Sequence, residues 1–211
     1  MKIVVINEVS ARSKNPDIMA ALNEMKKNKF NVINAGMTEK ISKPELTYIQ
    51  TGFYAALLLN IGRADFVVGG CGTGQGFLNS IMQYPNVFCG LITSPLDAWL
   101  FAQINAGNAI SLRLNQGYGW AGEVNLRFIF DRLFSVEWGQ GYPLERAETQ
   151  SESRRRLERI SRTSHVSFAE IVKKIEDPII KPVLEFPGAL TLIDVDSIED
   201  KTLKAALKSR I

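Results

Sequence analysis

Residues 65–76 read DFVVGGCGTGQG, an apolar run followed by a turn in which glycine alternates with other residues around one cysteine. A turn from a strand into a helix needs glycine only where φ is positive or packing is close, and one glycine would meet that need. Because glycine weakens both flanking elements, its presence at 70, 72, 74 and 76 indicates that something approaches the backbone closely. We therefore predict that this turn binds a ligand.

The known phosphate-binding turns differ from this one in spacing. The pattern GxGxxG fails in either register, and the turn follows the third predicted strand of the chain. A Walker loop would require Lys-Ser or Lys-Thr after the last glycine, and neither pair is present. A flavodoxin-like nucleotide-binding module is therefore the weaker interpretation.

On either side of the turn, the chain alternates between strand and helix patterns. Short apolar or β-branched runs predict strands at 2–7, 30–36, 65–70, 86–92 and 108–114. Helical patterns begin near residue 15, cover 44–62, begin within 72–83, and cover 95–104 and about 120–134. Crossovers of this length imply a parallel sheet covered on both faces. The sequence thus predicts an α/β fold, a three-layer α/β/α Rossmann-like (flavodoxin-like) sandwich with a five-stranded parallel sheet.

The composition changes beyond residue 140. The following segment is polar and rich in arginine, and 167–177 and 198–209 resemble short helices separated by the proline-bearing stretch 178–188. We predict a domain at 1–140 and an arginine-rich helical C-terminal extension at 141–211.

Composition excludes several classes of function. The net charge of +3 in 211 residues is too small a bias to indicate nucleic acid. No apolar run approaches the length of a membrane span, and the first residues do not have the form of a signal peptide, so we expect a cytoplasmic protein. The only cysteines and histidine, Cys71, Cys89 and His165, form a poor zinc set, so we expect no metal or other cofactor.

The position of Cys71 suits chemistry on a carbonyl compound. It lies just before a predicted helix, where unpaired backbone N–H groups favour a thiolate and can stabilise an oxyanion. Thr73 has two possible roles, capping the helix or donating its hydroxyl. A base beside such an anion hole suits proton abstraction next to a carbonyl. Acyl transfer would also fit, but it would call for a histidine partner, and His165 is remote in the sequence.

These residues resemble a known family. The stretch DFVVGGCGTGQG, with Asn105 and Asn108 in QINAGNAISL, is similar to the ribose-5-phosphate isomerase B and galactose-6-phosphate isomerase family over about residues 1–160. The resemblance implies aldose–ketose isomerisation of a sugar phosphate without a metal. It also implies a homodimer, or a dimer of dimers, with active sites across the subunit interface.

The same resemblance suggests roles for individual residues. Cys71 would be the base that moves a proton between C1 and C2. Thr73 and the amides of Gly72, Gly74 and Gly76 would hold the enediolate oxygen. Further candidates for substrate binding are Asn7, Tyr48, Asn105, Arg113, Arg146 and Arg154. The alternative interpretation of the three arginines at 154–156 is that they lie on a solvent-exposed helix face and do not bind phosphate.

Two positions depart from the family pattern. Glu8-Val9 stands where the family carries Asp-His, and Ile104-Asn105 where it carries His-Asn. The second of these histidines is credited with opening the sugar ring, so we expect an open-chain substrate such as a four-carbon sugar phosphate. Glu8 is our candidate for moving a proton between the two oxygens. A non-catalytic sugar-phosphate binding protein is the alternative function.

Overall fold

The computed structural model describes residues 1–25 and 30–211. Its strands are β1 (Lys2–Asn7), β2 (Asn31–Asn34), β3 (Phe66–Cys71), β4 (Cys89–Ile92) and β5 (Ala109–Arg113). They form one parallel sheet in the order β2-β1-β3-β5-β4. The chain therefore winds outward in opposite directions from β1 and β3, and the carboxyl ends of these two strands flank a crevice of the kind that binds ligands in open α/β sheets.

Helices cover both faces of the sheet. In chain order they are α1 (Asn15–Glu24), α2 (Tyr48–Asn60), α3 (Gln75–Ile81), α4 (Pro95–Leu100), α5 (Gly122–Phe134), α6 (Ala147–Ser164), α7 (Phe168–Lys174), α8 (Asp177–Glu185), α9 (Ala189–Ile193) and α10 (Lys201–Lys208). A π-helical turn, Phe101–Asn105, continues α4. The predicted three-layer α/β/α sandwich with a five-stranded parallel sheet is confirmed.

Two hydrophobic cores lie on the two faces of the sheet. In β1, Val4 and Ile6 belong to the core beneath α2 and α3, whereas Ile3 and Val5 belong to the core beneath α1 and α5. This alternation follows from the two-residue period of a strand, and it explains why the strands read as continuous apolar runs. No helix among the described residues is long and apolar enough to cross a membrane.

The C-terminal helices α7 to α10 share the core of α2 and α3. Phe168 stacks on Phe53 of α2 with ring centroids 6.0 Å apart, and the guanidinium of Arg63 donates to the carbonyl of Ile193 at 3.1 Å. Residues 53–58 of α2 are all buried, because the sheet lies on one side of the helix and these C-terminal helices on the other. The outer face of α2 therefore depends on the extension for its burial.

Some predicted boundaries were wrong for identifiable reasons. Helix α2 begins at Tyr48 rather than at residue 44, because Thr47 and Gln50 form a capping box. The stretch 178–188 was predicted to separate helices, yet α8 occupies most of it. Pro178 lies in the first turn of α8, where its missing N–H costs no hydrogen bond, and the buried Ile180, Val183 and Leu184 anchor the helix despite Pro182.

Candidate active site

The turn after β3 is held by close packing of the protein itself. A side chain on Gly69 would overlap the ring of Phe77, and a Cβ on Gly70 would lie 2.5 Å from the carbonyl oxygen of Leu112. Gly74 has a φ of 77°, and a Cβ there would lie 2.7 Å from Leu91 Cδ1. Much of the glycine pattern that we interpreted as room for a ligand is therefore explained by the fold. At Gly72 the nearest atoms are polar: Asn115 Nδ2 at 3.3 Å and Ser10 Oγ at 3.4 Å from an ideal Cβ.

The carbonyl oxygens of Gly72 and Gly74 accept hydrogen bonds, whereas several backbone N–H groups of this turn donate none within the described residues. The carbonyl of Gly72 accepts from the backbone N–H of Asn115 at 3.0 Å, and that of Gly74 accepts from Ser111 Oγ at 2.6 Å. Within residues 1–25 and 30–211, no acceptor bonds to the N–H groups at positions 72, 73, 74 and 76. These donors form a set that can hold a negatively charged oxygen. The exposed Thr73 accepts from the N–H of Gln75 at 3.3 Å, so its hydroxyl proton remains able to donate.

Cys71 ends β3 at the edge of this turn. Its side chain is 5% exposed, and in the sheet register it is paired with Arg113, the last residue of β5. Arg113 makes no ion pair with any described residue, and its guanidinium lies 3.6 Å from an ideal Cβ on Gly117. The other cysteine, Cys89, lies at the amino end of the edge strand β4, and burial raises the pKa of its thiol well above the ordinary value.

Three polar residues, Glu8, Ser10 and Asn115, follow the carboxyl ends of β1 and β5, and Ser10 and Asn115 lie beside Gly72. Glu8 is 4% exposed, and its carboxylate accepts from the backbone N–H of Ser10 at 3.1 Å and also from the Ser10 hydroxyl. The amide of Asn115 donates to the carbonyl of Ser10 at 3.0 Å. Sequence reasoning identified Glu8 but missed Ser10 and Asn115. The sequence feature that could have identified them is their position, because each lies just after a strand whose carboxyl end borders the crevice.

Asn7 was predicted to contact substrate, but its side chain is engaged within the protein. It is fully buried, donates to the carbonyl of Met37 at 2.9 Å and accepts from Asn15 Nδ2 at 2.7 Å. Its amide therefore braces the loops after β1 and β2. Tyr48, by contrast, reaches the turn, because it is the first residue of α2 and its ring packs against Gly76.

The remaining predicted residues lie away from this turn, near the amino ends of β4 and β5. Asn105, Arg146 and Arg154 line a groove of about 770 Å³ that also contains Cys89 and His165. Asn105 precedes the amino end of β5, whereas Arg113 and Cys71 lie at carboxyl ends, so one chain does not bring the two groups together. The guanidinium of Arg154 donates to the carbonyls of Ile104 at 2.8 Å and Gly139 at 2.9 Å. Arg146 is exposed.

Comparisons with known proteins identify the family. A family model described as Ribose/Galactose Isomerase matches residues 3–149. A 4-deoxy-L-threo-5-hexosulose-uronate ketol-isomerase, solved in complex with a tartrate, is 39% identical with a TM-score of 0.92, covering 100% of this chain and 99% of its own. A ribose-5-phosphate isomerase from Vibrio parahaemolyticus is 37% identical with the same TM-score and the same coverage.

A third structure is more distant. Ribose-5-phosphate isomerase B from Clostridium thermocellum is 19% identical with a TM-score of 0.60, covers 78% of this chain and 100% of its own, and so shares the fold. A search of curated proteins found no significant match. From the family model and the two full-length relatives, we conclude that the chain belongs to the ribose/galactose isomerase family and is a sugar isomerase.

Proposed function

We propose that the protein interconverts an aldose and a ketose through an enediolate, with Cys71 as the base. The observation that carries this proposal is the position of Cys71 beside a turn whose N–H groups at 72, 73, 74 and 76 are unbonded within the described chain. The thiolate removes the hydrogen on C2, the turn amides and Thr73 stabilise the oxygen that becomes negative, and the proton returns to C1.

The substrate that we propose is an open-chain sugar. The chain has one histidine, His165, and the positions where the family pattern has histidines hold Val9, which packs against the core, and Ile104. The protein therefore lacks the histidine credited with ring opening, whose position Ile104 occupies. The compound named for the 39% identical relative meets this restriction, because a 4-deoxy-5-keto acid has no hydroxyl on C4 or C5 to close a ring on C1.

We therefore take a 4-deoxy-hexosulose uronate as the first candidate substrate. Its single negative charge is the carboxylate at the far end, for which Arg113 and the exposed Arg146 are the candidate partners, because Arg154 is engaged by two backbone carbonyls. The second candidate is a four-carbon sugar phosphate, for which the ribose-5-phosphate isomerase relative supports the phosphate and the missing ring-opening histidine supports the short chain. Such a sugar cannot close a furanose through its phosphorylated terminal oxygen.

The proposed active site needs two copies of the chain. Asn105 and Arg146 line the groove near the amino ends of β4 and β5, and Cys71 lies at the carboxyl end of the central strand β3. The same groove carries apolar side chains that are half exposed, Leu157 at 50% and Ile160 at 57%, with the 77% exposed Leu144 nearby. A homodimer that covers this groove would bring the arginine of one protomer to the cysteine of the other and would bury these side chains.

The test is an assay in deuterated water with three substrates: 4-deoxy-L-threo-5-hexosulose uronate, D-erythrose 4-phosphate and D-ribose 5-phosphate. We expect turnover of an open-chain compound and deuterium on the carbon next to the carbonyl. Cys71→Ser should remove both signals, whereas Cys89→Ser should keep them. Binding without any exchange would favour the non-catalytic alternative, and equal activity in Cys71→Ser would exclude Cys71 as the base.

A further inference from the structure

Isomerisation requires a proton transfer that Cys71 does not perform. When the thiolate takes the C2 proton, the electron pair of that bond forms the C1–C2 double bond and O1 becomes negative. To reach the ketose, O2 must lose its hydroxyl proton, O1 must gain one, and the thiol must return its proton to C1. A second group therefore has to move a proton from O2 to O1.

The loop after β1 offers such a group. The Glu8 carboxylate is nine-tenths or more buried, and Ser10 supplies both of its hydrogen bonds, one from its backbone N–H and one from its hydroxyl. Ser10 itself is exposed. The carboxylate is thus shielded from solvent, and the Ser10 hydroxyl is its hydrogen-bonded link to the surface.

The Ser10 hydroxyl is also adjacent to the cysteine turn. Its oxygen lies 3.4 Å from an ideal Cβ on Gly72, the residue that directly follows Cys71. Asn115 Nδ2 lies 3.3 Å from the same point and holds the carbonyl of Ser10 at 3.0 Å. Because Gly72 has no side chain, no Cβ stands between the Ser10 hydroxyl and the backbone of the turn.

From this geometry we infer that the Ser10 hydroxyl, supported by the buried Glu8 carboxylate, carries the proton between O2 and O1 of the substrate. This inference rests on the proposed function. Ser10 Oγ accepts the proton of the O2 hydroxyl while its own proton passes to the Glu8 carboxylate. The reverse transfer delivers a proton through Ser10 to O1, so Glu8 and Ser10 end as they began. Ser10 is the catalytic residue in this step, and Glu8 acts through it.

This relay would replace chemistry that the chain lacks. The residue between the two, Val9, is apolar and packs against the core, so no imidazole is available after β1. Three titratable residues stand directly at the carboxyl ends of β1, β3 and β5: Glu8, Cys71 and Arg113. Cys71 is assigned to the proton on carbon and an arginine guanidinium does not give up its proton, so of these three Glu8 is the one suited to the transfer between oxygens.

Three variants test the relay: Glu8→Gln, Ser10→Ala and Ser13→Ala. Glu8→Gln keeps one of the two acceptor oxygens that face Ser10 but cannot take a proton, and Ser10→Ala removes one exposed hydroxyl. Ser13 is an exposed serine in the same turn and provides the matched control. Each variant is incubated in deuterated water with whichever of 4-deoxy-L-threo-5-hexosulose uronate and D-erythrose 4-phosphate the wild type isomerises. Deuterium at C2 of recovered substrate and product formation are both followed by NMR.

For Glu8→Gln and Ser10→Ala we expect product formation to fall about 100-fold, the lower end of the range for proton-transfer groups. Exchange at C2 should persist within a few-fold, because Cys71 still forms the enediolate. Ser13→Ala should match the wild type, and Ser10→Thr should recover much of the lost product formation.

Two results would overturn the relay: product formation within twofold of wild type in Ser10→Ala, or a parallel loss of exchange and product formation, which a merely structural role would cause. If Glu8→Gln fails to fold, as circular dichroism would reveal, Ser10→Ala decides alone. Wild-type protein that neither exchanges nor isomerises would instead refute the proposed function, and the relay with it.

Discussion

The ring of Tyr48 lies directly on Gly76, so that an ideal Cβ on this glycine would be 2.8 Å from Tyr48 Cγ. This contact joins the first residue of α2 to the first turn of α3, next to the turn that follows Cys71. The N–H of Thr47 is bonded by Gln50, whose amide in turn donates to the carbonyl of Pro178 in α8. The C-terminal extension therefore contacts the same helix end that presents Tyr48 to the crevice.

Replacement of Gly76 by alanine should displace the Tyr48 ring. Alanine favours a helix over glycine by about 0.5–1 kcal/mol, so the stability of the fold should not fall greatly. We expect KM to rise several-fold, because the ring that borders the site must move. The measurement is steady-state kinetics alongside thermal unfolding. In a Tyr48→Ala background, Gly76→Ala should not change KM further. Additive effects of the two substitutions on KM would contradict the hypothesis that Gly76→Ala acts by displacing the Tyr48 ring.

Gly74→Ala should be more costly than Gly62→Ala, although both glycines have positive φ. At Gly62 there is nothing within 4 Å of an ideal Cβ, so only the left-handed backbone penalty of about 1–2 kcal/mol applies. At Gly74 the Cβ also meets Leu91 Cδ1 at 2.7 Å and the backbone nitrogen of Arg113 at 3.2 Å. Urea unfolding should rank the variants in this order, and Gly74→Ala alone should lose isomerase activity. Equal losses of stability would show that the neighbours of Gly74 relax freely.

Two inactive variants should complement each other if the active site is shared between protomers. Cys71→Ala removes the base and Arg146→Ala removes a proposed anion contact. After subunit exchange in an equal mixture, half of the dimers carry one intact site, so activity should recover to about a quarter of wild type. Light scattering should report a dimer. Recovery should be absent if the mixed variants are first cross-linked as homodimers, and a monomer with full activity would refute the shared site.

Phe168 should be essential for docking the extension onto α2. Its side chain is 6% exposed, and its ring stacks on Phe53 at 6.0 Å and packs against Tyr84 at 5.9 Å. Phe168→Ala should lower the free energy of unfolding by about 3–5 kcal/mol, the usual cost of removing a buried aromatic ring. The matched control is Phe128→Ala, which removes a 58% exposed ring of α5 and should change stability by less than about 0.5 kcal/mol. Urea titration of the two variants tests this difference.

Local patterns in the chain were enough to predict the sandwich, because each strand and helix carries its own period of apolar residues. Helix α8 was not predicted because its two prolines disfavour a helix locally. Its buried apolar residues stabilise the helix only by packing against α2, and the local sequence does not reveal that contact. The pairing of Glu8 with Ser10 was missed for a different reason. A spacing of two residues does not indicate that the Glu8 side chain is buried and that Ser10 is exposed.

By itself, the sequence determined the strands and helices of residues 1–140 to within a few residues, the parallel sheet and the position of Cys71 in a glycine turn, since these follow from periodicity and from the few turn types glycine allows. Only the tertiary structure decided which residues meet. It brought Ser10 and Asn115 to Gly72 and Glu8 to Ser10, engaged Asn7 and Arg154 within the protein, and left Asn105 and Arg146 in a groove away from Cys71. The physical reason is that strand order and register fix which loop ends are neighbours, and contacts among distant segments set both.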